Sequence, residues 1–149
     1  GHIDGDSASL GEVCTLLSAI TQIPLNQGIA ITGSINQHGQ VQSIGGVNEK
    51  IEGFFKLCEA RGLTGDQGVI IPKTNCINLV LSESVQSAVK AGTFAIYAVE
   101  NVDDAITILT GKQAGVMSSR GRYPRDTVNG LAAQRLRHIA DIVNHEFGE

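Results

Sequence analysis

The sequence predicts an α/β (α+β) protein in which helices cover a sheet, and two patterns carry that prediction. The short apolar runs "GIAITGS", "GVIIP" and "FAIYAV" have the length and composition of buried strands. Around them lie longer segments whose apolar residues recur every three or four positions, the period of a helix with one buried face. Strand and helix patterns alternate along most of the chain, and such alternation builds a sheet with helices packed on it.

The elements follow in order. From Ala8 to about Thr21, Leu10, Val13, Cys14, Leu17 and Ile20 share one helical face. Ser9 and Glu12 form an S-x-x-E capping box at its start, and Pro24 marks the exit. "GIAITGS" (Gly28 to Ser34) reads as one buried strand, "NQHG" as a turn, and "QVQSI" as the returning hairpin partner. Gly45 and Gly46 introduce a second helix, "VNEKIEGFFKLCEAR", ended by Gly62. "GVIIP" is the next strand, stopped by Pro72. After a loop, Ser82 caps a helix carrying Val85, Ala88 and Val89 and closed by Gly92. Phe94 to Val99 form a further strand. Asn101 then caps the helix of Val102, Ala105, Ile106 and Leu109, closed by Gly111.

The pattern changes at residue 112. Residues 112–130, which include "GVMSSRGRYPRDTVNG", lack periodicity and read as a linker after a domain of residues 1–111. Residues 131–149 form a last amphipathic helix, with Leu136, Ile139, Val143 and Phe147 on one face and Arg135 and Arg137 on others. That face is expected to pack on the domain or on a neighbouring subunit.

The totals exclude several classes. A length of 149 residues suits one domain with a proper core. A net charge of −4 leaves no electrostatic footprint for nucleic acid or for an anionic membrane. No apolar run approaches the ~18 residues of a membrane span, and no signal peptide is expected. The 3 cysteines form neither CxxC nor a disulfide framework, and zinc-ligand spacing is absent, which predicts a reduced, cytoplasmic setting and no metal. No GxxxxGK[ST] phosphate loop occurs.

Two residues stand out for chemistry. Ser7, in "DGDSAS", is either an ordinary serine near a helix start or a nucleophile beside free amides at a helix N-terminus. Because Ser9 fills the capping role, Ser7 is left outside the helix. A serine hydroxyl needs a base, and the histidines are poorly placed for it: His2 at the terminus, His38 in a turn, His138 and His145 beyond the linker. Lys50 is the alternative. On a helical wheel Val47, Ile51, Phe54 and Cys58 form the apolar stripe, and Lys50 lies at its edge between Phe54 and Leu57. Lys56 instead points to solvent with Glu49, Glu52 and Glu59. A lysine drawn into an apolar pocket loses its preference for the charged form and can accept a proton. The competing reading is a snorkelling lysine, with its stem on the core and its amine in water. Thr32, at the end of a buried strand, is either a packing residue or a hydroxyl that orients a nearby amine.

"DGDSAS" (Asp4 to Ser9), "AITGS" (Ala30 to Ser34) and "GGVNEK" (Gly45 to Lys50) occur in this order and spacing. Together they resemble the proteolytic domain of Lon-family ATP-dependent proteases, in the B-type "DGDSAS" form. With "GGVNEKIEGFF", "GLTGDQGVIIP" and "GRYPRDTVNG", the chain is most similar to the bacterial Lon-like paralogues related to the archaeal type.

The resemblance implies a serine endopeptidase that works through a Ser–Lys dyad. Ser7 would be the nucleophile, Lys50 the general base, and Thr32 a hydrogen-bond partner of the lysine amine. Backbone amides near Gly5 and Asp6 would hold the oxyanion, while Asp4 and Asp6 match the motif without an assigned side-chain role. It further implies that ATP and Mg2+ act only at a separate AAA+ module, with no cofactor in this chain. Unfolded or damaged proteins would be the substrates, and the subunits would form a homo-oligomeric, hexameric ring. Strands that precede the serine in the family's domain are expected to be missing here. Two other readings compete: a non-catalytic, ring-forming Lon-like domain of an AAA+ protein, and a ligand-binding domain using the glycines near Gly45.

Overall fold

The computed structural model describes residues 8–147. The chain enters as a two-residue strand β1 (Ala8–Ser9) and turns at once into α1 (Leu10–Thr21). The helix therefore starts at Leu10, not at the expected Ala8, because Ala8 and Ser9 pair with the backbone of Ile35 and Ser34. Ser9 is the N-cap, its hydroxyl accepting from the Glu12 amide at 3.3 Å. Among the described residues Glu12 returns no bond to the Ser9 amide, so half of the expected capping box forms.

The apolar run "GIAITGS" is two strands, not one. β2 (Ile29–Ile31) joins a parallel sheet, whereas β3 (Ser34–Ile35) joins an antiparallel sheet with β1 and β4 (Val41–Gln42). Gly33 makes the division. Its φ of +111° is one a side chain rarely adopts, and an added Cβ would lie 3.1 Å from both Pro72 and Val41. The β3–β4 turn is held by Asn36, whose side-chain oxygen accepts from the amides of His38 and Gln40.

α2 (Val47–Arg61) follows, entered through Gly46 and ended at Gly62. Then come β5 (Gly68–Pro72), a 3-10 helix (Lys73–Asn78) in place of the expected loop, and α3 (Glu83–Ala91), capped by Ser82. β6 (Ala95–Val99) and α4 (Val102–Thr110), capped by Asn101, complete the alternating part. The last helix, α5 (Val128–Phe147), begins before residue 131, since the Thr127 hydroxyl accepts from the Gly130 amide and tightens the first turn. Its early residues Val128, Leu131 and Ala132 pack on the domain. Leu136, Ile139, Ile142 and Val143 farther along stay about half exposed.

The parallel sheet runs β2-β5-β6, with β5 in the middle and all its residues buried. Strand alternation divides the core in two. Val69 and Ile71 face α2 and α3 with Val47, Ile51, Phe55, Cys58, Val85 and Phe94. Ile70 faces the other side, with Leu10, Cys14, Ala105, Ile106 and Val128 from α1, α4 and α5. Phe55 and Phe94 meet edge to face at a 5.1 Å centroid separation. The chain is thus α/β, its parallel sheet covered by helices on both faces.

Cys14 and Cys58 are buried in these two layers, whereas Cys76 is exposed. Burial pushes the Cys14 thiol up to about 11 and raises that of Cys58, the latter partly offset by Arg61. Because the unfolded thiols ionise first, the stability their neutral burial contributes is complete below the ordinary thiol range, about pH 8.5. It declines as pH rises from there through the folded values. A thiol reagent at about pH 8 is expected to modify Cys76 rapidly and the other two only after denaturation. Equal rates at all three positions in the native protein would contradict the packing described.

Candidate active site

Three pieces of chain meet at one end of the molecule: β1, the β2–β3 connection and the first turn of α2. Backbone hydrogen bonds bring the first two together, the Leu10 amide donating to the Gly33 carbonyl at 3.0 Å. Thr32 is tied to the central strand twice. Its amide and its hydroxyl both donate to the Ile70 carbonyl, at 3.0 and 2.7 Å.

The third piece is clamped by asparagines that sequence reasoning missed. Asn75, 2% exposed, accepts from the Ile44 amide at 2.9 Å and donates to the Ile44 carbonyl at 3.0 Å. Asn48, on the first turn of α2, donates to the Asn78 carbonyl and accepts from the Val80 amide, at 2.9 and 2.8 Å. Glu52 adds two bonds to Ser82. The sequence offered little signal for these roles: Asn75 sits in "TNCIN", which reads as loop chemistry, and Asn48 in the first turn of a helix.

Between the three pieces lies a cavity of about 440 Å³, lined by Ala8, Ser9, Thr32, Ser34, Ile44 and Lys50, among others. Lys50 and Thr32, placed on one site by the resemblance, therefore share it, together with the residue that follows Ser7 in the chain. Ser7, Gly5, Asp6 and Asp4 lie outside the described residues.

One expectation about the apolar stripe of α2 is corrected. The buried stripe of α2 is Val47, Ile51, Phe55 and Cys58, so Phe55 rather than Phe54 is the fully buried aromatic. Lys50 lies on the flank of that stripe and is exposed, as is Lys56. Lys50 lines the cavity while the residue as a whole stays exposed. No Thr32–Lys50 hydrogen bond is formed, and the Thr32 hydroxyl donates to the Ile70 carbonyl instead. The threonine oxygen keeps lone pairs that can still accept.

A second, more apolar cavity of about 620 Å³ adjoins the first through Ser9 and Ile31 and runs between α1 and β2. Thr15, Leu16, Ala19 and Ile29 form its other walls. Among the described strands β2 pairs only with β5, so the backbone of β2 that borders this groove belongs to a sheet edge. Such an edge can hydrogen-bond an extended polypeptide. No group of three or more His, Cys, Asp or Glu able to hold a metal occurs among the described residues. None of the helices described is long and apolar enough to cross a membrane.

Comparison with known proteins agrees with this architecture. The chain is 60% identical over 147 residues to a Haemophilus influenzae protein provisionally named a Lon protease homolog, covering 99% of this chain and 24% of that protein. It is 54% identical over 108 residues to an Escherichia coli protein of the same provisional name, covering 72% of this chain and 18% of that one. To the archaeal Lon protease of Methanocaldococcus jannaschii it is 44% identical over 84 residues, 56% of this chain and 12% of the other. The chain thus spans a quarter or less of the length of these relatives. Residues 2–112 match the Lon protease (S16) C-terminal proteolytic domain, and with that match over most of its length the chain belongs to this family.

Proposed function

We propose that the chain is the peptide-cleaving unit of an ATP-dependent Lon-like protease, with Ser7 as nucleophile and Lys50 as general base. The observation that carries the reading is the shared cavity: Ala8, which immediately follows Ser7, lines the same space as Thr32 and Lys50. In the proposed reaction the uncharged Lys50 amine takes the Ser7 proton as the hydroxyl attacks a peptide carbonyl. Amides near Gly5 and Asp6 stabilise the oxyanion. The protonated lysine then gives its proton to the leaving amine, and water, activated by the same base, hydrolyses the acyl-enzyme. The free acceptor lone pairs of Thr32 suit it to orient the amine once the cavity is covered. Covering matters, because water at an exposed amine favours its charged form. An extended substrate in the groove along β2 would exclude that water and set its carbonyl near the helix mouth.

The remaining parts of the reading concern the longer protein. They are an AAA+ module that binds ATP and Mg2+, a hexameric ring, unfolded or damaged protein substrates and a cytoplasmic location. The exposure of Lys50 is what favours the second reading, a ring-forming Lon-like domain without catalysis. A fluorophosphonate probe applied to the full-length protein separates the two. Labelling that disappears in Ser7→Ala is expected; a full-length, folded protein that never labels would leave the non-catalytic reading standing.

A further inference from the structure

The segment "GRYPRDTVNG" has no role in the proposed chemistry, yet it forms the wall of a second kind of site. Ser118 folds the segment back on itself, its hydroxyl accepting from the amides of Arg120 and Arg122, while its amide donates to the Arg122 carbonyl at 2.7 Å. The loop is then pressed onto the first turn of α5. At Gly130 an added Cβ would fall 1.9 Å from the Pro124 carbonyl oxygen, so no side chain fits at this contact. The segment is thus a docked structure and not a loose tether.

Between loop and helix lies a cavity of about 720 Å³. Arg122 and Arg125 line it from the loop and Arg137 from α5, with Tyr123, Gln134 and Met117 beside them. Among the described residues no carboxylate lines it. Among the described residues none of the three arginines makes an ion pair or a side-chain hydrogen bond; the one ion pair joins Lys73 and Glu100 at 3.1 Å. Three like charges held around one space repel each other, and an anion placed among them removes that repulsion. The rest of the protein is acidic, since the net charge is −4 although Arg120, Arg122, Arg125, Arg135 and Arg137 all fall in this region.

We propose that this cavity binds linked phosphoryl groups. Three arginines contributed to one cavity by two different elements suit tetrahedral phosphates, whose oxygens point in several directions. A single planar carboxylate can engage one fork well but not three. The volume exceeds that of one inorganic anion and matches a ligand of nucleotide size. Tyr123 and Met117 offer an aromatic and an apolar wall for whatever carries the phosphates.

Calorimetric titration of this 149-residue chain at low ionic strength, with tripolyphosphate, ATP and citrate as separate probes, tests the assignment. Saturable one-to-one binding of tripolyphosphate is expected, weakened on the order of tenfold in Arg122→Gln and in Arg137→Gln. Lys56→Gln, an exposed lysine elsewhere, should leave it unchanged. Tighter binding of ATP than of tripolyphosphate would assign a nucleotide, and equal binding the phosphates alone. Absence of saturable binding, citrate binding as tightly as tripolyphosphate, or an equal loss in Lys56→Gln would overturn the proposal. All three variants alter exposed side chains, and an unchanged thermal midpoint verifies that each is folded.

Discussion

Lys50→Arg in the full-length protein is expected to lower kcat for peptide hydrolysis by about a hundred- to ten-thousand-fold, with little change in thermal stability. The substitution keeps the positive charge, the long stem and the place in the cavity lining. It removes the one property the mechanism needs, since a guanidinium does not give up its proton in the working range and cannot act as a base. A role confined to charge or packing would let arginine substitute with a small loss. Ser7→Ala provides the reference, because it removes the acyl-enzyme altogether. If lysine and serine act as one unit, the double variant should be no slower than Ser7→Ala alone. Turnover near the unmodified rate in a folded Lys50→Arg protein would exclude the base assignment. Lys50 is exposed, so its substitution gives the fold little reason to fail.

The largest stability effect is expected at the centre of the parallel sheet. Ile70→Ala should destabilise the chain by about 2–5 kcal/mol, a large share of the roughly 5–15 kcal/mol that holds an ordinary domain together. Ile70 is fully buried on the middle strand, against side chains from α1, α4 and α5. These elements converge from different parts of the chain, so they cannot collapse together to fill the space left by the lost carbons. The Ile70 carbonyl also accepts both Thr32 bonds, which ties the stability of this strand to the geometry of the cavity. Denaturant unfolding monitored by circular dichroism would measure the change. A loss below about 1 kcal/mol would mean that the site relaxes far more than its packing suggests. Val89→Ala is a suitable control, since Val89 is 38% exposed.

Much of this protein could be read from residue order alone. The helices α2, α3 and α4 begin and end at the capping residues and glycines that the sequence marks, because cap chemistry is local and acts over three or four residues. β5 was plain for a similar reason: a run of five apolar residues with a proline at its end has few other places to go than the middle of a sheet. The family was legible through three short motifs in register. The asparagine clamps were not, since Asn75 and Asn48 act on partners about thirty positions away and an asparagine's neighbours in sequence carry no mark of that.

Residue order by itself therefore determined most of the helices, the central strand, the family and which serine and lysine to consider. Only the tertiary structure decided how a continuous apolar run divides between two sheets at Gly33, that Lys50 is exposed where it lines the cavity, and that three arginines line one space. Periodicity reports which face of a local element is apolar. Exposure, sheet membership and the meeting of distant charges depend on what the rest of the chain packs against, and no short stretch of sequence contains that information.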